Sequence, residues 1–254
     1  MAYSHLVDVY MPSPCKTAGR KHDIDTISIH CMAGNLTVES CGHLFEKWDR
    51  QASSNYGIGS DGRIGCYVDE ENRSWCTSSS SNDNRAITIE VANTKASHPY
   101  PVSDEAYKSL IELLVDICRR HKKTRLIWLG DKNKTLAYQP KQNEMIMTVH
   151  RWFANKACPG QALLDLHPEI AETVTNRLSM GDDDMENSVT WDTITAPLRD
   201  NDAGDWSKEA RDWAIREGLI AGDGGNPPNY QWQAPLTREQ FVVVLKRAID
   251  KGIL

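Results

Sequence analysis

With 254 residues, the chain is long enough for one sizeable core plus a smaller module. A formal net charge of −6 and a pI of about 5.8 give it no general attraction to phosphate backbones or anionic lipid. Nucleic acid is thereby excluded as a partner. So is a membrane span, because apolar stretches such as Leu113–Val115 and Phe241–Leu245 are far too short and are soon interrupted by charge.

The first ten residues lack the basic and apolar regions of a secretory signal, so delivery outside a cell is expected to need another route. The seven cysteines, Cys15, Cys31, Cys41, Cys66, Cys76, Cys118 and Cys158, are an odd set without regular spacing. Most read as reduced thiols packed as small hydrophobes, with a Cys66–Cys76 bridge as the alternative in an oxidising setting.

In chain order, residues 23–31 read as a buried strand ending at His30, followed by an Ala33-Gly34 loop. Residues 37–53, with Val38, Cys41, Leu44, Phe45 and Trp48 at helical spacing, predict an amphipathic helix started by Thr37. Tyr56–Ile58 and Ile64–Val68 flank Asp61-Gly62, a strong hairpin signal. Residues 77–83 read as a flexible polar loop, and residues 86–91 as a strand carrying Glu90. A long helix is expected over 104–121, a strand over 125–129, a loop over 132–147 and a closing helix over 163–178. This alternation predicts a mixed α/β domain, a central sheet flanked by helices, over residues 1–178. Residues 179–204 are acidic and weakly periodic, as expected of a linker with one short structured piece around 189–194. Residues 205–254 form a separate, small and mainly helical module.

His30 closes the first strand, and His150 and Cys158 stand eight positions apart in a second segment. Two neutral imidazoles and one thiolate make a three-ligand zinc set whose open fourth position suits activation of water. The pairing of His30 with that segment rests on context, since no compact ligand motif joins them.

His30 after a strand, Asn55-Tyr56 before the hairpin, Ile87-Thr88-Ile89-Glu90 in a strand, and His150 with Lys156-Ala157-Cys158-Pro159-Gly160 together carry a resemblance. In order and spacing these pieces resemble the zinc-dependent N-acetylmuramoyl-L-alanine amidases. That family includes phage lysozyme-amidases, cytosolic anhydromuramyl-peptide amidases and peptidoglycan recognition proteins. The resemblance covers about residues 1–178 and implies that His30, His150 and Cys158 hold Zn2+ and that peptidoglycan is the substrate. It implies that Lys156 stabilises the oxyanion, that Tyr56 lies beside the metal water, and that Glu90 is a general base. Two departures stand out: Gly57 where relatives often have histidine, and Trp75-Cys76-Thr77-Ser78 where they often have Trp-His-Ala-Gly. Both are expected to reshape the substrate groove. The plainer readings are an ion pair of Glu90 with Arg85 or Lys95, and hairpin packing for Tyr56. The other histidines read as structural.

The C-terminal module resembles a single surface-layer homology repeat, with two helices around Gly222-Asp223-Gly224 and a second helix opened by Thr237-Arg238-Glu239. Thr237 and Gln240 suit a capping box, with Phe241, Val244, Leu245 and Ala248 as the buried face. Such repeats bind secondary cell-wall polymers, so the resemblance implies that Arg238 grips an anionic sugar substituent; a capping role is the alternative. Of Trp206, Trp213 and Trp232, at least two are expected in the core and the rest against sugar. A lone copy implies either a homo-oligomer that assembles the missing copies or a simpler wall-binding unit. The expected activity is that of a phage endolysin, held in the host cytoplasm until release and then cutting the bond between N-acetylmuramic acid and L-alanine. A non-catalytic peptidoglycan receptor and a cysteine peptidase are the competing readings.

Overall fold

The computed structural model describes residues 3–179, 203, 207–221, 228–230, 232 and 238–253. They divide into two compact units, 1–181 and 182–254. In the first unit the chain runs β1 (Val9–Tyr10), β2 (Lys16–Thr17), β3 (Thr26–Cys31), α1 (Val38–Phe45), β4 (Tyr56–Ile58), β5 (Ile64–Cys66) and β6 (Arg73–Ser74). It continues through α2 (Ser80–Arg85), β7 (Ala86–Val91), α3 (Asp104–Arg120), β8 (Arg125–Ile127), α4 (Lys132–Ala137), β9 (Glu144–Val149) and α5 (Gln161–Ser179). Seven strands make a mixed sheet in the order β1-β5-β4-β7-β3-β9-β8, and β2 pairs with β6 apart from it. Only β4 and β5 run antiparallel within the large sheet.

The central strands alternate in sequence, and parallel pairing keeps the alternation in step. Ile27 pairs with Ile87 and Met147, and Ile29 with Ile89 and Val149, so one face is wholly apolar. On the other face Ser28 pairs with Thr88 and Thr148, and His30 with Glu90. Helices α3 and α5 cover the apolar face with Leu110, Leu114 and Ile117, and with Leu163, Ile170 and Val174. Each such side chain contributes ~1.5–3 kcal/mol when fully buried. Ser103 caps α3 by accepting from the Ala106 N–H, and its hydroxyl donates to the Ser60 carbonyl, which joins the helix start to the hairpin. The polar face is left to build a site.

Helix α1 is shorter than expected. Thr37 caps it as predicted, accepting from the Ser40 N–H, but it ends at Phe45 and a 3-10 turn, Trp48–Arg50, follows with Trp48 exposed. Tyr67 then sets the packing between α1 and the hairpin. Its hydroxyl donates to the Val38 carbonyl, and a Cβ at Gly57 or Gly65 would come within 2.6 or 2.8 Å of that hydroxyl. Gly57 therefore stands where a histidine would collide with Tyr67.

Two expected loops are structured. Residues 80–85 form α2, capped by Ser79, and the expected loop over 132–147 holds α4 and most of the fully buried β9. Neither α2 nor α4 has an apolar stripe to betray it. β9 reads Glu-Met-Ile-Met-Thr-Val, a short run buried on both faces, which periodicity does not separate from other buried segments. All seven cysteines are free thiols, so the Cys66–Cys76 bridge is absent.

In the second unit α6 (Lys208–Arg216) and α7 (Arg238–Asp250) bury Ala214, Leu219 and Ala248, with Val244 and Ile220 packed at the edge. Phe241 and Leu245, expected in the buried face of α7, are exposed instead. Their exposure shows that this small core is built from alanine and leucine near the helix ends. Trp213 is also exposed, and Trp232 is half-buried, stacked on Tyr230 and under the Arg211 guanidinium. The linker apart from Ser179 and Ala203, the piece around 189–194, Trp206, the Gly222–Gly224 loop, Thr237 and the side chains of Arg238 and Gln240 lie outside the described residues. No helix among the described residues is long and apolar enough to cross a membrane.

A buried polar network ties the hairpin to α3. Glu70 accepts from Arg120 at 2.6 and 2.7 Å, from Tyr56 at 2.5 Å, and shares a 2.8 Å hydrogen bond with His121. Burial alone would push its carboxyl up, but the Arg120 and His121 hydrogen bonds, the Arg120 charge and the Tyr56 hydroxyl outweigh that and hold it at about 2. A carboxyl lowered from 4.5 contributes stability that is complete above pH 4.5 and lost as pH falls through about 2. Glu70→Gln should therefore cost ~3 kcal/mol at pH 7, and the gap to wild type should shrink below pH 4.5. Denaturant melts across pH 3–7 check this; a gap that ignores pH would show that Glu70 is not held as a carboxylate.

Candidate metal centre

Parallel register brings the site together. β3 ends with His30 beside Glu90 of β7, and β9, paired to β3 through Val149, releases the chain at its end into a short turn that begins with His150. Cys158 returns from that segment to the end of β3, its Sγ 3.3 Å from His30 Nδ1. The His30 and His150 rings lie 5.0 Å apart, and one donor atom from each of His30, His150 and Cys158 lies within 4.8 Å of the others. Three possible metal donors from distant parts of the chain thus converge.

The donor set suits a borderline-soft dication. His30 is fully buried, and burial, with the His150 charge, lowers it to about 3, so its ring is neutral at pH 7. His150 is lowered by partial burial and by the Lys156 ammonium. Both imidazoles therefore keep a lone pair for a metal. Ser28 Oγ lies 3.2 Å from His30 Nε2, and Ser78 Oγ lies 3.2 Å from His150 Nε2, contacts of the kind that fix ring orientation around a metal. The Cys158 thiol is pushed up by its hydrogen bond with Cys31 and by burial. A bound dication opposes that shift, because coordination takes the thiolate.

Around these ligands opens a cavity of about 620 Å³, lined among others by Trp75, Arg50, Glu90 and Lys156. Glu90 sits on its floor with Oε1 4.0 Å from His30 Nδ1 and 3.9 Å from Cys76 Sγ, and Oε2 buried without a partner among the described residues. Burial, and then the Cys31 charge, raise the carboxyl to about 8. The ion pair of Glu90 with Arg85 is not formed, since Arg85 is held by Asp25 at 2.6 and 2.8 Å. Lys156 is exposed at the cavity wall.

Tyr56 is not brought to the centre. It pairs with Ile89, not Glu90, and so shares the apolar face. Its hydroxyl receives the Ser4 N–H and donates to Glu70, and burial with the Glu70 charge raises the phenol further. The register shift of one residue explains the outcome. Gly57 holds the position opposite Glu90.

Some functional neighbours escaped the sequence reading. Cys31 contacts Cys158, and Cys76 stands beside Glu90, forming a second donor cluster with His30 and Glu90. The stretch expected as a flexible loop is pinned by buried Asp83, which accepts from the Cys76 and Thr77 N–H groups and the Thr77 hydroxyl. That anchor sets Cys76 against Glu90 and Ser78 against His150. The clue available beforehand was Trp75-Cys76-Thr77-Ser78 itself, a departure placed near the groove.

The fold and this cluster define a mixed α/β protein with a pocket at its parallel strand ends in which two imidazoles and a thiol could hold a metal. Residues 20–161, more than half of the chain, match the N-acetylmuramoyl-L-alanine amidase family, and the chain belongs to it. Solved structures similar to it include a selenomethionine derivative of AmpD, with 16% identity, 70% of this chain and 96% of that chain covered, and a TM-score of 0.47. Drosophila peptidoglycan recognition protein SD has 16% identity, coverage of 61% and 85%, and a TM-score of 0.43. The endolysin N-acetylmuramoyl-L-alanine amidase LysCS from Clostridium intestinale URNW has 16% identity, coverage of 63% and 90%, and a TM-score of 0.42. No curated protein sequence matches this chain.

Loss of the Ser28 hydroxyl should weaken zinc binding by about 10-fold, because His30 loses its orienting contact. Tyr56→Phe should leave zinc binding unchanged and cost ~1–2 kcal/mol of stability. Competition titration with a chelating dye and a denaturant melt measure the two. Weakened zinc binding in Tyr56→Phe would return the tyrosine to the metal centre.

Proposed function

We propose that the chain is a zinc-dependent peptidoglycan hydrolase of the endolysin type, cutting the amide between N-acetylmuramic acid and L-alanine. The observation that carries this reading is the convergence of His30, His150 and Cys158 beside Glu90 in one open cavity of a family member. His30, His150 and Cys158 hold the ion. When bound, zinc supplies Lewis acidity and lowers the pKa of water toward ~7.

The protein's own groups handle protons and charge. Burial alone keeps Glu90 protonated, but the positive charge of a bound dication would ionise it, and as a carboxylate beside His30 it takes a proton from the attacking water. As the carbonyl carbon becomes tetrahedral, the Lys156 ammonium faces the negative charge gathering on its oxygen. Collapse breaks the C–N bond, and Glu90 returns the proton to the amine of L-alanine. Ser28 and Ser78 keep the two imidazoles oriented. On this reading the enzyme acts on the bacterial wall after release from the host cytoplasm. Residues 205–254 serve as its wall-binding module through Arg238, alone or as a homo-oligomer.

Lys156→Ala should lower turnover by about 100-fold or more while zinc stays bound. Digestion of defined peptidoglycans with and without chelator, with the new termini identified by mass spectrometry, tests the reaction. Unchanged turnover removes Lys156 from the mechanism; bound zinc with no amide cleavage makes the protein a peptidoglycan receptor; chelator resistance makes a cysteine peptidase the better account.

A further inference from the structure

A second cavity, of about 570 Å³, lies on the polar face of the sheet between α2 and α4. It shares Ser78 and Ser79 with the cavity of the metal centre, and Ser78 also contacts His150. The two spaces are therefore neighbours across a single rim, and a molecule extending past the reacting bond can enter both.

The chemistry of its lining selects the occupant. One wall is aromatic, formed by Trp152 and Phe153, with the exposed Leu136 beside them. Trp152 is held in place by a parallel stack on Trp128, with centroids 5.2 Å apart and planes 3° from parallel. The charged groups of the lining are two cations: the Arg85 guanidinium is gripped by Asp25, Lys132 is exposed at the edge, and no carboxylate is among the lining residues. Thr135 lines it too. That residue is 3% exposed, and its hydroxyl has no hydrogen-bond partner among the described residues. A buried hydroxyl left unpaired is unfavourable, and a ligand hydroxyl or amide placed there relieves the cost.

An apolar wall, an orphaned hydroxyl and the Lys132 ammonium as a hydrogen-bond donor fit an oxygen-rich ring with alternating apolar and hydrogen-bonding surface. From this we infer that the cavity is a glycan subsite, holding an acetamido sugar of the strand next to the muramyl residue whose amide is cut. The inference rests on the amidase reading for its substrate. It adds that recognition extends along the glycan, through α4 and the turn after His150, and not only along the stem peptide.

Two measurements test it. In the first, a tetramer of N-acetylglucosamine is titrated calorimetrically into the full chain. Thr135→Val and Phe153→Ala should each weaken binding by about 10-fold, while Thr135→Ser, which keeps the hydroxyl, should bind like wild type. In the second, kcat/KM is compared for a muramyl peptide with one sugar and for the same peptide on a longer glycan. Wild type should prefer the longer substrate; Thr135→Val and Phe153→Ala should lose about 10-fold on it and nothing on the short one. Equal losses on both substrates, or tetramer binding indifferent to all three variants, would overturn the subsite. Equal losses caused by misfolding are exposed by the Thr135→Ser control and by melts of each variant. Tetramer binding that obeys the variants without any amide cleavage would leave the subsite standing and remove the amidase reading. Cleavage that ignores glycan length would do the reverse.

Discussion

The in-step parallel pairing of β7, β3 and β9 is the constraint from which the rest follows. Parallel strands in register align their alternating side chains, so three strands with apolar residues at every second position produce one face that must be buried. Ile27, Ile29, Ile87, Ile89, Met147 and Val149 form that face, and α3 and α5 pack on it. The same alternation makes the opposite face polar. There Ser28, Thr88, Thr148, His30 and Glu90 lie side by side. A slip of one residue in any of the three strands would bury its polar residues under the helices.

Polar residues on a sheet face need partners, and the segments covering this one supply them. Ser28 reaches His30, and Thr148 donates to Asn82 of α2. Thr88 receives from Asn55 and Ser54 and meets Ser74. Asp83 fixes the 76–78 stretch over the strand ends. Where this satisfaction stops, reactive or receptive groups remain. The unpartnered oxygen of Glu90 sits in the metal cavity, and the unpartnered hydroxyl of Thr135 lies along the neighbouring one. Both stand at the margin of one hydrogen-bonded layer.

The electrostatics of the centre follow from its depth. Burial keeps the imidazole of His30 neutral and the carboxyl of Glu90 protonated near neutral pH, and it raises the Cys158 thiol. A dication compensates all three at once, since it attracts a lone pair, a carboxylate and a thiolate. The Glu70 network on the other face solves a different problem. It pairs its carboxylate with Arg120 and His121, so it stays charged and structural, and it accepts the proton of the Tyr56 hydroxyl, which already receives the Ser4 N–H.

Much of this was legible in the linear chain. The alternation in residues 26–30 and 86–90, the cap at Thr37, the Asp61-Gly62 turn and the long stripe of α3 are local signals, each set by interactions within a few residues. The donor chemistry of His30, His150 and Cys158 was readable too, because it belongs to the side chain. What tertiary structure decided was which residues face which way and which strangers meet. Tyr56 stands one register position from Glu90 and so falls on the apolar side. β9 gains its place between β3 and β8 by pairing with β3 across more than a hundred residues, and Cys31, Cys76 and Ser78 join the site through similar long-range contacts. Local sequence dictates a strand's two faces; only pairing with distant strands determines which becomes the core and which the site.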